Sequence, residues 1–164
     1  MEIVSGKSIF RLFRESLFDP LGMNNTYNEE DLAYGTQSTA YDLALVGQMV
    51  LNQGSYGNID FFSAETFDQL LPKPLNQWYP MIEQDWGIGL TWMQTYRSEE
   101  HADHPQGSVI LSPNIIGHGS ATSSVLQVDL DNEIVITQSR RNGGKDFNKY
   151  FEKLLLILED HLLK

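Results

Sequence analysis

Histidine and hydroxyl side chains are concentrated in one short stretch, residues 115–124, with the sequence IIGHGSATSS. His118 lies between two glycines, and Ser120, Thr122 and two further serines follow it. An imidazole can exchange a proton near neutral pH, and an activated hydroxyl can attack a carbonyl carbon. A glycine inside a strand marks the close approach of a ligand or of another backbone. The stretch is therefore a candidate site, although a strand-end histidine with solvent-facing serines would have the same sequence.

A second group of polar side chains occurs in the segment HADHP, where His101, Asp103 and His104 fall within four residues. Histidine and aspartate both bind zinc, but no fourth ligand is evident in the sequence. We therefore interpret this segment as a solvated loop and expect neither a metal nor a cofactor. The chain contains no cysteine, which excludes disulfides, thiolate metal sites and cysteine nucleophiles.

Two further motifs favour structural roles. Residues 56–58, Tyr-Gly-Asn, have the Y-x-N form found in some serine hydrolases, but they follow Gly54 at the end of a predicted helix. Glycine and asparagine at that place predict a turn. His161 falls in the last turn of another predicted helix, where a partly charged imidazole complements the helix dipole.

The amino-acid composition limits the kinds of partner that the chain can bind. The 164 residues include 22 Asp and Glu against 11 Lys and Arg, a net charge of −11. This acidic excess argues against binding to a nucleic acid or an anionic membrane. No apolar run approaches the roughly 20 residues of a membrane span. The N-terminal sequence MEIVSGKS also lacks the basic and then apolar pattern of a signal peptide.

Helical periodicity and capping residues predict four helices. They cover the segments SGKSIFRLFRESLFDPLG, with a stop at Asp19-Pro20, STAYDLALVGQMVLNQG, AETFDQLL and DFNKYFEKLLLILEDHLL. Thr39 with Asp42 three residues later is a capping box, and Ser63 is the expected cap of the third helix. The segment MNNTYNEEDLAYG is predicted to be a surface loop.

Alternating apolar residues predict strands in the second half of the chain. DWGIGLTWMQTY, GSVILS and NIIGHG are strand candidates, and SSVLQVDLDNEIVITQSR predicts a hairpin with its turn at Asp129 to Asn132. We therefore expect an α+β fold in which helices flank an antiparallel sheet. We also expect a single domain over residues 1–164, mainly helical over 1–80, with the strands and the closing helix over 81–164.

The order of three segments resembles the serine β-lactamase and penicillin-binding-protein-like family, in particular its esterase and D-amino-acid peptidase branch. The segments are SGKS…LF.PLGM..T, STA.DLA..GQM.LN.G and GHG.AT…V, and they span nearly the whole chain. The resemblance implies the C-terminal portion of the serine β-lactamase/transpeptidase-like fold. It maps His118, Gly119 and Ser120 onto the third motif of the family, K-T-G or H-x-G, and implies an oxyanion-hole N–H near Ala121. Ser120 stands where the family usually has glycine.

The nucleophile motif of that family is missing. No serine is followed three residues later by lysine, and the family places its S-x-x-K and Y-x-N motifs before the VSGKS segment, which here begins at residue 4. We therefore expect the full-length protein to hydrolyse a small-molecule amide or ester through an acyl-enzyme, and this chain alone to be inactive. The alternative is a non-catalytic binding or scaffolding module derived from the fold. A metal-dependent hydrolase that uses His101 and His104 is the third and least favoured alternative.

A chain that lacks the N-terminal part of the fold is expected to bind other polypeptides. Loss of the N-terminal part should expose apolar surface, so we expect self-association, through strand pairing, or pairing with the missing N-terminal half. The resemblance suggests the periplasm or the cell envelope as the compartment, by a signal outside these residues.

Overall fold

The computed structural model describes residues 1–28, 35–76, 78–81, 85–86, 89–101 and 107–163. The helices are α1 (Glu2–Ser5), α2 (Ile9–Phe13), α3 (Asp19–Leu21), α4 (Ala40–Leu51), α5 (Ala64–Leu70) and α6 (Phe147–Leu162), with a π-helical turn at Arg14–Phe18 and a 3₁₀ turn at Glu99–His101. The strands are β1 (Tyr27–Asn28), β2 (Thr36–Gln37), β3 (Ser55–Tyr56), β4 (Ile59–Asp60), β5 (Lys73–Pro74), β6 (Asp85–Trp86), β7 (Thr91–Trp92), β8 (Thr95–Tyr96), β9 (Val109–Ile110), β10 (Ile115–Gly119), β11 (Val125–Asp129) and β12 (Ile134–Gln138).

Among the residues that the structure describes, the central sheet has six strands in the order β12-β11-β10-β7-β6-β5, and each neighbouring pair is antiparallel. In the same residues, three further antiparallel pairs, β1-β2, β3-β4 and β8-β9, lie outside this sheet. The predicted α+β fold with an antiparallel sheet and flanking helices is confirmed. In the register of the three longest strands, Leu126 lies between His118 and Thr137.

Helices cover the two faces of the sheet, since alternate strand residues contribute to two separate cores. Ile116 and Val128 join one core with the buried residues of α4. Val125 and Ile136 join the other with Leu155 of α6. Successive side chains of a strand point to opposite faces, so this separation follows directly from the alternating sequence.

The predicted N-caps and the turn at residues 56–58 form, but the Thr39 capping box is only half made, because the Asp42 carboxylate accepts from Asn25 and Thr26. The Thr39 hydroxyl accepts the backbone N–H of Asp42 at 3.1 Å, and Ser63 caps α5 in the same way. The Y-x-N segment turns the chain between β3 and β4, with Gly57 at a φ of 59°. That conformation is easy for glycine and strained for other residues.

The predicted stop of the first helix at Asp19-Pro20 is wrong. The chain passes through a π-helical turn at Arg14–Phe18, and α3 ends only at Gly22, which has a φ of 73°. The backbone stays right-handed helical at Phe13, Phe18 and Asp19, so one helix continues through the π-helical turn. A π-helical turn is a bulge inside a helix, and this wider turn accommodates a proline, which lacks an N–H. Gly22 then ends the helix, as a left-handed glycine usually does.

A buried ion pair fixes α6 against the β8-β9 hairpin. Arg97 Nη2 donates to both carboxylate oxygens of Glu159, at 2.9 and 2.7 Å, and the two side chains are 0% and 2% exposed. Glu159 also accepts the backbone N–H of Leu111 at 2.8 Å. Removing one member of such a pair leaves an uncompensated charge in the core, so the pair fixes the position of the helix.

Candidate active site

The four residues that the sequence singles out lie at one exposed end of β10. His118 and Gly119 are the last two residues of the strand, and Ser120 and Ala121 begin the turn into β11. All four are exposed. The turn therefore presents an imidazole and several hydroxyls at the rim of the central sheet.

The two glycines beside His118 differ in their surroundings. A Cβ atom at Gly117 would lie 1.9 Å from the carbonyl oxygen of Leu126 on β11. A Cβ atom at Gly119 would meet only the terminal methyl of Met93, at 3.8 Å, an ordinary contact. Gly117 is therefore required by the close approach of a neighbouring backbone. Gly119 is required by no described neighbour and leaves the surface there open.

Hydroxyl groups hold the turn in its shape. Ser123 has a φ of 62° and donates its N–H to the carbonyl of Ser120 at 2.9 Å. The hydroxyl of Thr122 lies 2.8 Å from that of Ser120 and 3.3 Å from that of Ser124. The Ser120 hydroxyl also accepts the N–H of Ser124 at 3.2 Å. Ser120 thus takes part in the turn itself, which gives this serine a structural role.

The segment that contains Arg140 and Gly143 supports the turn, and the sequence did not predict this contact. Ser124 exchanges two hydrogen bonds with the backbone of Arg140, its hydroxyl donating to the carbonyl at 3.1 Å and accepting the N–H at 3.0 Å. Gly143 packs so closely on Ser123 that a Cβ atom there would lie 2.2 Å from the Ser123 hydroxyl oxygen. The pair Gly143-Gly144 signals a turn, but no spacing in the sequence links it to residues 20 positions earlier.

The imidazole and one backbone N–H of this rim have no hydrogen-bond partner in the part of the chain that the structure describes. His118 pairs with Leu126, whose side chain packs into the α4 core, so the imidazole points to the α4 face of the sheet. Its side chain makes no hydrogen bond or ion pair with any described residue, and the N–H of Ala121 donates to none of them. A free N–H beside a strand end can stabilise a developing oxyanion.

Other candidate sites lie apart from this rim. A cavity of about 320 Å³ is lined by Phe10, Arg11, Arg14, Phe18 and Asn28, and none of residues 118–121 contributes to it. Asp103 and His104 of the HADHP segment lie outside the described residues, as does the side chain of His101. Within the described part of the chain, no cluster of three acidic or histidine side chains could hold a metal ion. In that same part, no helix is long and apolar enough to cross a bilayer.

Comparison with known proteins identifies the fold. No family model and no curated protein sequence matches the chain. A β-lactamase from Mycobacterium bovis is similar in structure, with a TM-score of 0.66 and 19% identity over 98% of this chain and 59% of the other. A protein from Bacillus anthracis provisionally assigned as a 6-aminohexanoate-dimer hydrolase is similar with a TM-score of 0.68 and 17% identity. The match covers 99% of this chain and 40% of the other. A protein from Bacteroides dorei provisionally assigned as a β-lactamase is similar with a TM-score of 0.56 and 15% identity. The match covers 95% of this chain and 54% of the other.

These similarities show a β-lactamase-like fold. The chain spans about half of the length of the structures that it matches, between 40% and 59%. This coverage is consistent with the C-terminal portion of such a fold, as the three sequence segments indicate. At 15–19% identity the agreement concerns the fold, and catalytic roles are a separate question.

Proposed function

We propose that the rim formed by His118–Ala121 is one wall of the substrate pocket of a β-lactamase-like serine hydrolase. The enzyme would act on a small-molecule amide or ester through an acyl-enzyme. The observation that carries this proposal is the open surface at Gly119 next to the free N–H of Ala121. A substrate carbonyl lying against Gly119 would bring its oxygen toward that N–H. The similarity to a β-lactamase and to a hydrolase supports the same class of reaction.

The roles of the rim residues follow from the chemistry of acyl transfer. When a serine hydroxyl attacks the carbonyl carbon, negative charge develops on the carbonyl oxygen, and a preorganised N–H such as that of Ala121 stabilises it. The His118 imidazole lies on the α4 face, opposite to the surface left open at Gly119, and it is suited to hydrogen-bonding a neighbouring catalytic group on that face. The turn hydrogen bonds of Ser120 and Ser124 hold the rim rigid. Rigid placement of such donors is what makes them effective.

The attacking serine and its lysine are proposed to come from polypeptide outside these 164 residues. No S-x-x-K motif occurs in the chain, and Ser120, two residues after His118, forms hydrogen bonds within its own turn. Without that partner the chain should not form an acyl-enzyme, and its uncovered surface is expected to associate with itself.

Turnover of nitrocefin and p-nitrophenyl acetate tests the missing nucleophile. The purified chain should show no rate above buffer, and intact-mass spectrometry should show no acyl adduct. The His118→Ala variant is the control. Turnover by the chain that disappears in this variant would mean that it carries its own nucleophile.

Binding at the rim needs a separate test, because an inactive protein can still hold a ligand. Titration of the ¹⁵N-labelled chain with benzylpenicillin should shift the amide resonances of His118 and Ala121. Gly119→Val fills the open surface and should abolish those shifts. Thr95→Val, which changes a strand of a different sheet, should keep them. Shifts that are absent in the unmodified chain, or that survive Gly119→Val, would contradict the proposed pocket wall and favour a binding module that uses another surface.

A further inference from the structure

We infer that Met93 determines which substrates the proposed pocket accepts, because it forms an apolar border of the surface that Gly119 leaves open, and that Gln127 is the residue that positions Met93. The selected substrates are amides or esters with an aryl or bulky alkyl substituent on the acyl side of the reacting carbonyl. This inference rests on the proposed function, since it requires the substrate to lie against Gly119.

Met93 borders the open surface directly. Its terminal methyl lies 3.8 Å from the position of a Cβ atom at Gly119. Among the described residues, apart from the chain neighbours of Gly119, no other atom comes within 4 Å of that position. Gly119 is exposed and Met93 is half-buried, so a ligand that reaches the glycine also reaches the methionine methyl.

A second neighbour of this surface is also apolar. Val125 is paired with Gly119 on β11, and directly paired residues of an antiparallel ladder share one face of the sheet. Val125 is buried in the α6 core. A polar group placed between this valine and the Met93 methyl would lose water without gaining a hydrogen bond from either side chain, whereas an apolar group gains by leaving water. The surface therefore favours an apolar substituent.

The backbone of Met93 is held at both of its polar groups. Its N–H donates to the carbonyl of Ile115 at 2.8 Å, and its carbonyl accepts from the side-chain amide of Gln127 at 3.2 Å. Met93 follows β7, whereas Gln127 belongs to β11, and β10 lies between these two strands. The glutamine side chain therefore crosses β10. Gln127 is paired there with Gly117, which has no side chain to obstruct this path.

Stability alone does not account for a glutamine at position 127. Gln127 is 2% exposed, and its neighbour on β12, Ile136, belongs to the α6 core. Its Oε1 atom has no hydrogen-bond partner among the described residues. A buried polar atom without a partner costs free energy that a leucine of similar volume would avoid. The hydrogen bond that the Gln127 side chain makes is the one that fixes Met93.

A methionine held in this way selects by polarity more than by shape. Its backbone is fixed, but its thioether side chain has three rotatable bonds and packs against aryl and alkyl groups alike. It has no strong donor or acceptor with which to bind a polar substituent. We therefore expect the pocket to accept apolar substituents of different shapes and to bind small counterparts weakly.

Two penicillins that differ in one group test this selection on the whole chain. Benzylpenicillin and 6-acetamidopenicillanic acid carry the same charge, but the second has a hydrogen in place of the phenyl group. Both dissociation constants are obtained from the amide shift of Ala121 in the ¹⁵N-labelled chain. Their ratio does not depend on the folded fraction of a variant. We expect benzylpenicillin to bind at least about tenfold more tightly.

Substitutions of methionine test whether Met93 is the cause of this preference. Met93→Gln keeps the length of the side chain but makes it polar, so the preference should fall below about threefold. Met93→Leu stays apolar and should keep the preference. Met81→Gln is the matched control, because it makes the same exchange at a methionine that is 95% exposed in the loop between β5 and β6. It should leave the preference unchanged.

Gln127→Leu tests the positioning role by a spectroscopic readout on folded protein, checked by circular dichroism. In the unmodified chain, the ε-methyl protons of Met93 should give a nuclear Overhauser effect to the α-protons of Gly119. Gln127→Leu should lose this signal and lower the preference for benzylpenicillin. Gln94→Leu is the matched control, because it removes a side-chain amide that donates to the carbonyl of Pro113 at 2.8 Å. It should keep both readouts.

The outcomes separate this inference from the proposed function. Equal affinities of the two penicillins, or equal preferences in Met93→Gln and Met93→Leu, would overturn the role of Met93, although shifts at Ala121 would still support the pocket wall. An unchanged Overhauser signal and preference in Gln127→Leu would overturn the positioning role. Absence of any shift at Ala121 with both penicillins would overturn the proposed function and this inference with it.

Discussion

Replacing each of the two glycines beside His118 by alanine adds the same methyl group at two places with opposite surroundings. At Gly117 the new Cβ would lie 1.9 Å from the Leu126 carbonyl oxygen, about 1.5 Å inside the 3.4 Å at which ordinary contact begins. The obstructing atom belongs to the backbone of β11, so the two strands must separate. Overpacking costs about 1–3 kcal/mol, and each ladder hydrogen bond lost costs about 1 kcal/mol more. We therefore expect Gly117→Ala to destabilise the fold by at least about 3 kcal/mol.

At Gly119 the same substitution should change the stability of the fold very little. The new Cβ would be 3.8 Å from Met93, and the φ of Gly119 is outside the left-handed region. Alanine at a compatible position reduces the freedom of the unfolded chain and can stabilise by about 0.4–1 kcal/mol. For a protein of this size, about 2–4 °C of melting temperature corresponds to 1 kcal/mol.

Thermal unfolding followed by circular dichroism measures both variants. Gly117→Ala should melt roughly 6–12 °C lower and Gly119→Ala within about 3 °C of the unmodified chain. Protein concentration must be the same in all samples, since self-association shifts the apparent stability. Equal melting temperatures of the two variants would refute the assignment of Gly117 to strand packing and of Gly119 to an open surface.

Two further predictions concern the charged groups that stabilise the fold. Glu159→Leu should destabilise by about 3–5 kcal/mol, because it leaves Arg97 charged and buried, and adding Arg97→Leu should restore part of the loss in urea unfolding. Equal stability of the single and double variants would contradict the coupling. Hydrogen bonds from Lys7 and Arg11 lower the pKa of Glu15 from its ordinary value of 4.5. Its stabilising contribution is therefore complete above pH 4.5 and is lost as the pH falls through the lowered value. An NMR titration should place the Glu15 midpoint below 4.5 and closer to 4.5 in Lys7→Gln; an unchanged midpoint would show that Lys7 is not the cause.

The helix caps and strands of this protein could be predicted because they depend on residues close together in the sequence. The Thr39 and Ser63 caps and the three strands around residues 115–138 form as predicted, because each depends on residues within a few positions of one another. The alternation of apolar residues in β11 and β12 also sets which side chains face each core. The predicted stop at Pro20 is wrong because the π-helical turn at Arg14–Phe18 lets the helix continue past the proline as far as Leu21.

The candidate site depends on contacts that no local pattern encodes. The sequence marks His118 and its two glycines as unusual, but only the pairing of β10 with β11 shows that Gly117 accommodates a backbone while Gly119 stays open. The support of the turn by Arg140 and Gly143 joins residues from separate strands and loops. Spacing along the chain determines conformation over a few residues, whereas clearance and exposure depend on which distant segments pack together.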